Sequence, residues 1–220
     1  MGLGLWLGLC GLLHGCADTA ADTQRVYVVR PQDTLYSIAW RYGLDFHDLA
    51  RWNNIGSDFQ IKVGETLILA PHRSAIPPPT RPPPTAAKAP PPVRGALSVT
   101  GIKWGWPTDR SAAPRPVPGG GIPLSGQLGQ DIRAASAGRV VYTGSGIRGY
   151  GNLIIIKHGE NWLSAYAHNR ESLVREGQEV SSGEVIGHMG EGAPGKPVLY
   201  FEIRRDGKPV DPLRFLSYVK

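Results

Sequence analysis

Few imidazoles or thiols are available for metal or nucleophilic chemistry in this 220-residue chain: it has six histidines and two cysteines. Both cysteines, Cys10 and Cys16, fall in the first sixteen residues. In the C-terminal half His158 follows an apolar run and His188 lies in a Gly-rich stretch that reads as a turn. Neither forms a ligand motif with a nearby His or carboxylate, so both read as ordinary surface or half-buried histidines. That leaves His168, in Tyr166-Ala167-His168-Asn169, and one imidazole is far short of a tetrahedral donor set. The other reactive group is the Cys16 thiol. It follows Gly15 and an eleven-residue apolar run, Leu3 to Leu13, which is too short to cross a bilayer but suits a secretory leader.

Glycine (29) and proline (20) are far above average usage, which excludes an all-helical bundle. A 41% hydrophobic share is enough for folded cores. The formal charge of +6 is spread along the chain without a basic cluster, an RNA-binding signature or zinc-finger spacing, so no nucleic-acid partner is expected.

Two regions have foldable patterns. From Val26 to Arg30 the chain reads as a strand, and Asp33-Thr34 is placed to cap a helix from Leu35 to Tyr42 that Gly43 ends. A second helix is expected from Asp45 as N-cap to Trp52, and a closing strand from Glu65 to Leu69. Trp40 and Trp52 read as core. Farther on, strands are expected at 139–142, 153–157, 162–166 and 199–203, punctuated by glycine, which indicates an antiparallel β domain. Leu153 to Ile156 is continuously apolar and should be a central strand covered on both faces. Between Pro71 and Arg94 ten of 24 residues are proline. Such a segment favours polyproline II, and Pro77 to Pro92 would span about 50 Å as a semi-rigid spacer separating the two regions.

Several stretches resemble known families. Leu13-His14-Gly15-Cys16 resembles the lipobox of bacterial lipoproteins, which implies a signal peptide at 1–15, lipid on Cys16 and a tether at 16–25. Ala17 implies sorting to the outer membrane of a Gram-negative cell, facing the periplasm. YVVRPQDTLYSIAWRYG, LARWNNI and IKVGETLIL resemble the LysM domain over 26–70. The resemblance implies a groove for N-acetylglucosamine-containing peptidoglycan glycans, formed by Gln32, Asp33, Thr34 and Leu35 with Gly56, Ser57, Asp58, Phe59 and Ile61. Gln32 stands where the motif usually has Gly. After a linker at 71–100, the region 101–220 resembles the LytM-type (lysostaphin-like) metallopeptidase domain, most closely its NlpD-like branch. The resemblance is carried by Gly149-Tyr150-Gly151-Asn152 and Tyr166-Ala167-His168-Asn169.

Active members of that family hold zinc through an H-x-G-x-D loop and an H-x-H strand. In this sequence Gly119 and Pro123 stand at the first motif's His and Asp, and Val198 and Tyr200 at the second. No zinc and no other cofactor is therefore expected. The fold expectation is two domains: a small α+β LysM unit and a mainly antiparallel β LytM-type unit. The resemblance implies a non-enzymatic activator of a zinc-dependent N-acetylmuramoyl-L-alanine amidase in daughter-cell separation. Its alternatives are a zinc endopeptidase and a structural tether from outer membrane to wall. Arg148, Tyr150, Tyr166, His168, Tyr200 and Arg204 are the candidate amidase contacts, because they flank the vacant ligand positions and offer aromatic or cationic anchors.

Overall fold

The computed structural model describes residues 25–70, 102–109 and 114–217. The expected signal segment, Cys16 and the proline-rich linker lie outside these residues. The N-terminal module runs β1 (Val26–Val28), α1 (Leu35–Tyr42), α2 (Phe46–Trp52) and β2 (Thr66–Ile68), the β-α-α-β order expected. β1 and β2 pair antiparallel with Tyr27 opposite Leu67, and both of these side chains point into the core. Thr34 starts α1 through a reciprocal capping box with Ser37, at 3.1 and 3.0 Å, and Gly43 ends it at φ 65°. Asp33 does not cap. Its carboxylate accepts from the Tyr27 hydroxyl at 2.6 Å and from the Arg30 amide at 2.9 Å, and pairs with Arg41 at 3.0 Å. Asp45 caps α2 through the His47 and Asp48 amides. Asn53 then ties the end of that helix to β2, giving a bond to the Ile68 carbonyl and taking one from the Ile68 amide.

The C-terminal module contains β3 (Trp104–Gly105), β4 (Ile122–Ser125), β5 (Asp131–Arg133), β6 (Gly138–Gly144), β7 (Asn152–His158) and β8 (Trp162–Ser172). It continues with β9 (Glu179–Val180), β10 (Val185–Met189), β11 (Glu191–Ala193), β12 (Lys196–Arg205), β13 (Lys208–Val210) and β14 (Leu216–Ser217). The main sheet has the order β11-β12-β8-β7-β6-β9, with β4 and β13 also on β12 and β10 bridging β5 and β8. Every pairing in it is antiparallel, and among the described residues only the short β3–β14 pair is parallel.

The two faces of this sheet pack differently. Ile154, Ile156, Tyr166, Phe201 and Ile203 turn to one side and join Ile122, Leu124, Ile132, Ile186 and Trp104 in a core internal to the C-terminal module. Leu153, Ile155, Leu163, Ala165 and Ala167 turn to the other side, where they share one cluster with Ile38, Trp40 and Phe46 of the N-terminal module. Leu153 to Ile156 is therefore covered on both faces, as its composition requires, and one of the covers is the N-terminal module itself. This corrects the expected separation by a rigid spacer. At about 1.5–3 kcal/mol each, burying Leu153, Ile155 and Leu163 outweighs the roughly 3 kcal/mol needed to close a linker of about 30 residues.

Candidate functional site

The groove of the C-terminal module forms where β4 pairs with β12. Tyr200 stands opposite Pro123 and Val198 opposite Ser125, so positions far apart in sequence meet at one place. The loop before β4 passes close over Tyr200 because it carries no side chains. Gly119 and Gly120 are left-handed, at φ 104° and 94°, and a Cβ on Gly119 would stand 3.7 Å from the Tyr200 hydroxyl. A Cβ on Gly121 would collide with the ring itself. The phenol of Tyr200 thus fills the space on which the side chains of 119, 123 and 198 converge.

A charged network underlies it. The Glu202 carboxylate is 0% exposed and accepts from the Tyr200 hydroxyl at 3.1 Å, the Tyr150 hydroxyl at 3.3 Å and Arg204 Nε at 2.7 Å. Such a buried carboxylate is tolerable only with this many donors, one of them cationic. Burial, and then the neighbouring Glu202 charge, push the Tyr150 and Tyr200 phenols up, so both stay protonated and donate.

His168 sits beside this cluster in a left-handed conformation, φ 64°. Its amide donates to the Tyr150 carbonyl and its carbonyl accepts from the Gly190 amide, both at 2.9 Å. Asn152 and Asn169 exchange side-chain-to-backbone bonds across the same strands, at 3.1 and 2.8 Å. The Gly149-to-Asn152 loop is therefore fixed against His168. Burial lowers the His168 pKa, which leaves a neutral imidazole at pH 7, and the ring stands 3.4 Å from where a Cβ on Gly192 would be.

Zinc does not fit these residues. Gly119, Pro123 and Val198 offer no donor, and the Tyr200 phenol is held protonated on Glu202. What remains is a shallow groove with aromatic and imidazole edges at Tyr200 and His168, continuous through Tyr150 and Arg204 with the cavity at the seam between the modules.

The six candidate contacts divide. His168 and Tyr200 are half-buried at the groove, and Arg148 is exposed on the adjoining loop. Tyr166 does not belong with them. It is 0% exposed on the opposite face, where its hydroxyl accepts the Ala135 amide at 2.8 Å and stands 2.9 Å from Ser164 Oγ. Strand alternation places Tyr166 opposite to Ala165 and Ala167, and only the pairing of β8 with β12 decides which of those faces carries the groove. Tyr150 and Arg204 lie on the groove side but under the N-terminal module. The Arg204 guanidinium lies 3.7 Å from the centre of the Trp40 ring and donates to the Trp40 carbonyl at 2.9 Å, and Tyr150 meets the same ring edge-on.

The loops expected to bind glycan line a cleft of about 880 Å³ whose other wall is the C-terminal module. Thr34, Tyr36 and the Ser57-to-Ile61 loop face Arg139, Lys157 and Glu160. Gly56, Ser57 and Asp58 are exposed there, and Phe59 packs edge-on against Tyr36 and Phe46. One expected member takes another role, since Leu35 is 0% exposed in the core, while Asp33 lines the cleft and is held by Tyr27 and Arg41. Gln32 adopts φ 68°, a left-handed conformation that explains why Gly is usual at this position. His188 lies within β10 and not in a turn, and it contacts Glu171 at 3.0 Å and Asp131 at 3.6 Å. Sequence spacing hid those partners because β8 and β5 bring them in from the two sides.

Comparison with known proteins matches the LysM domain family to residues 27–70 and Peptidase family M23 to residues 118–212. A Pseudomonas aeruginosa "Lipoprotein NlpD/LppB homolog" is 42% identical, over 92% of this chain and 82% of its own length. The "Uncharacterized lipoprotein YgeR" of Escherichia coli K12 is 36% identical, over 98% of this chain and 92% of its own length. "Murein hydrolase activator NlpD" of Escherichia coli K12 is 36% identical, over 92% of this chain and 70% of its own length.

Proposed function

This chain belongs to the NlpD/LppB lipoprotein family, and on that premise we propose that it activates a zinc-dependent N-acetylmuramoyl-L-alanine amidase while cutting no wall itself. The single observation that carries this reading is the groove of the M23 fold. Its strands, its Gly149-to-Asn152 loop and His168 are kept, while Tyr200 occupies the place where metal ligands would converge. A groove whose positions 119, 123, 198 and 200 supply no zinc donor set supports binding and not hydrolysis, which argues against the endopeptidase alternative. The LysM loops supply the hold on peptidoglycan, with Thr34, Ser57, Asp58 and Phe59 as contacts along the open cleft. Lipid on Cys16 holds the chain at the periplasmic face of the outer membrane, and the tether at 16–25 joins that anchor to the LysM module.

The proposal is tested by mixing purified chain, a candidate amidase and dye-labelled wall, with each component omitted in turn. Dye release is expected only when all three are present. Release by the chain and wall alone would restore the endopeptidase reading. No release beyond that of the amidase alone, across the amidases of the source cell, would leave a tether.

A further inference from the structure

We infer that the N-terminal module, as docked here, closes one end of the amidase-binding groove, so that helix α1 and the amidase segment compete for the same surface. The inference rests on the activator reading above and concerns how that same groove is regulated.

Three of the candidate contacts, Arg148, Tyr150 and Arg204, line the seam between the modules. Tyr150 and Arg204 are covered by Trp40 of α1, and Arg41 of the same helix reaches across to the Gly146 carbonyl at 3.3 Å. The turn at Gly207 presses against the chain at Leu44 and Asp45 so closely that a Cβ there would stand about 2.5–2.6 Å from their backbone. Only the His168 and Tyr200 end of the groove remains half-open. A segment long enough to use the whole cleft has to displace α1.

The docking buries the apolar face of Leu153, Ile155 and Leu163, so the closed form predominates and the open form is the minor one. Clefts of about 700 and 880 Å³ are lined from both modules, so the close packing is confined to a strip between them. Along that strip Arg204 and Arg41 donate to backbone carbonyls, bonds that water replaces at little cost. Arg204 also keeps its bond to Glu202 whether or not the modules touch, because both belong to β12. The buried carboxylate therefore stays compensated when the groove opens. A ligand that binds only the open form sees its affinity reduced by the open fraction, so shifting the docking equilibrium shifts activation in proportion.

Two perturbations move the equilibrium in opposite directions without touching a proposed contact. Gly207→Asn keeps a residue that tolerates φ 72° and drives a Cβ into the seam. Tyr42→Cys/Gly146→Cys places thiols on opposite walls of the seam cavity in a chain carrying Cys10→Ser and Cys16→Ser, and a bis-methanethiosulfonate linker joins them reversibly. Circular dichroism checks the fold of each variant, and dye release from labelled wall by the amidase is the readout. Gly207→Asn is expected to raise activation at sub-saturating chain by about threefold or more, and the linked chain to lose about tenfold and regain it on reduction. The unmodified chain with the same reductant controls for effects on the amidase. Equal activation by linked and reduced chains would overturn the inference and leave the activator reading intact. Should Gly207→Asn fail to fold, the linked pair decides alone. Failure of every chain, wild type included, to activate any amidase would refute the activator reading, and this inference with it.

Discussion

Acid should destabilise this protein through His158. The imidazole is 1% exposed, with Nδ1 2.7 Å from the Ala137 carbonyl and Nε2 2.7 Å from Ser164 Oγ. Nδ1 can only donate to a carbonyl, and burial keeps the ring neutral at pH 7, which leaves Nε2 unprotonated beside the Ser164 hydroxyl that Tyr166 also contacts. Burial pushes its pKa down from 6.5 to about 4. Because the folded value is the lower one, the unfolded chain binds the extra proton. The resulting stability is fully present above pH 6.5 and is lost as pH falls toward 4. Between pH 8 and pH 5 the loss amounts to about 2 kcal/mol. With a urea slope of about 2 kcal/mol/M, the unfolding midpoint should fall by about 1 M over that range from this group alone. His158→Gln preserves hydrogen-bonding capacity but does not titrate. It costs stability at every pH through lost contact with Trp104, 4.8 Å away between ring centres, and that cost cancels in the pH difference. Groups common to both proteins cancel in the same way. Urea titrations of both proteins at pH 5 and pH 8 therefore isolate the effect. An equal midpoint shift in wild type and His158→Gln would refute the reasoning.

Gly121→Ala should destabilise the C-terminal module by about 1–3 kcal/mol by overpacking Tyr200, and most of the loss should return in Gly121→Ala/Tyr200→Ala, measured as a double-mutant cycle by thermal unfolding. Thr34→Ala removes the α1 capping box and should cost about 0.5–2 kcal/mol, whereas Phe59→Ala in the full chain should weaken co-sedimentation with peptidoglycan beyond any loss of fold seen by circular dichroism. Chain purified without chelators should carry zinc well below one equivalent by elemental analysis; one zinc per chain, lost in His168→Ala, would contradict the donor census.

Much of this protein is legible one segment at a time. Thr34, Asp45 and Gly43 delimit the helices because caps act within a turn of themselves. The unbroken run from Leu153 to Ile156 demands cover on both faces because alternate side chains of a strand point opposite ways. The lack of imidazole and carboxylate at 119, 123, 198 and 200 is a matter of residue identity, and no fold can change it. What the segments leave open depends on surfaces distant along the chain. Tyr166 and Tyr200 look equivalent in sequence, yet pairing of β12 with β8 and β4 sends one into the core and the other into the groove. Asp33 reads as a cap until Tyr27 and Arg41 claim it, and His188 reads as lone until β5 and β8 bring Asp131 and Glu171 beside it. Most consequential is the cover over the outer-face residues Leu153, Ile155, Leu163 and Ala165, which a proline-rich spacer seemed to keep apart from the N-terminal module. Which surface covers that face is decided by the free energy of burying apolar area. That quantity depends on two surfaces meeting in space, and neither one's sequence names the other.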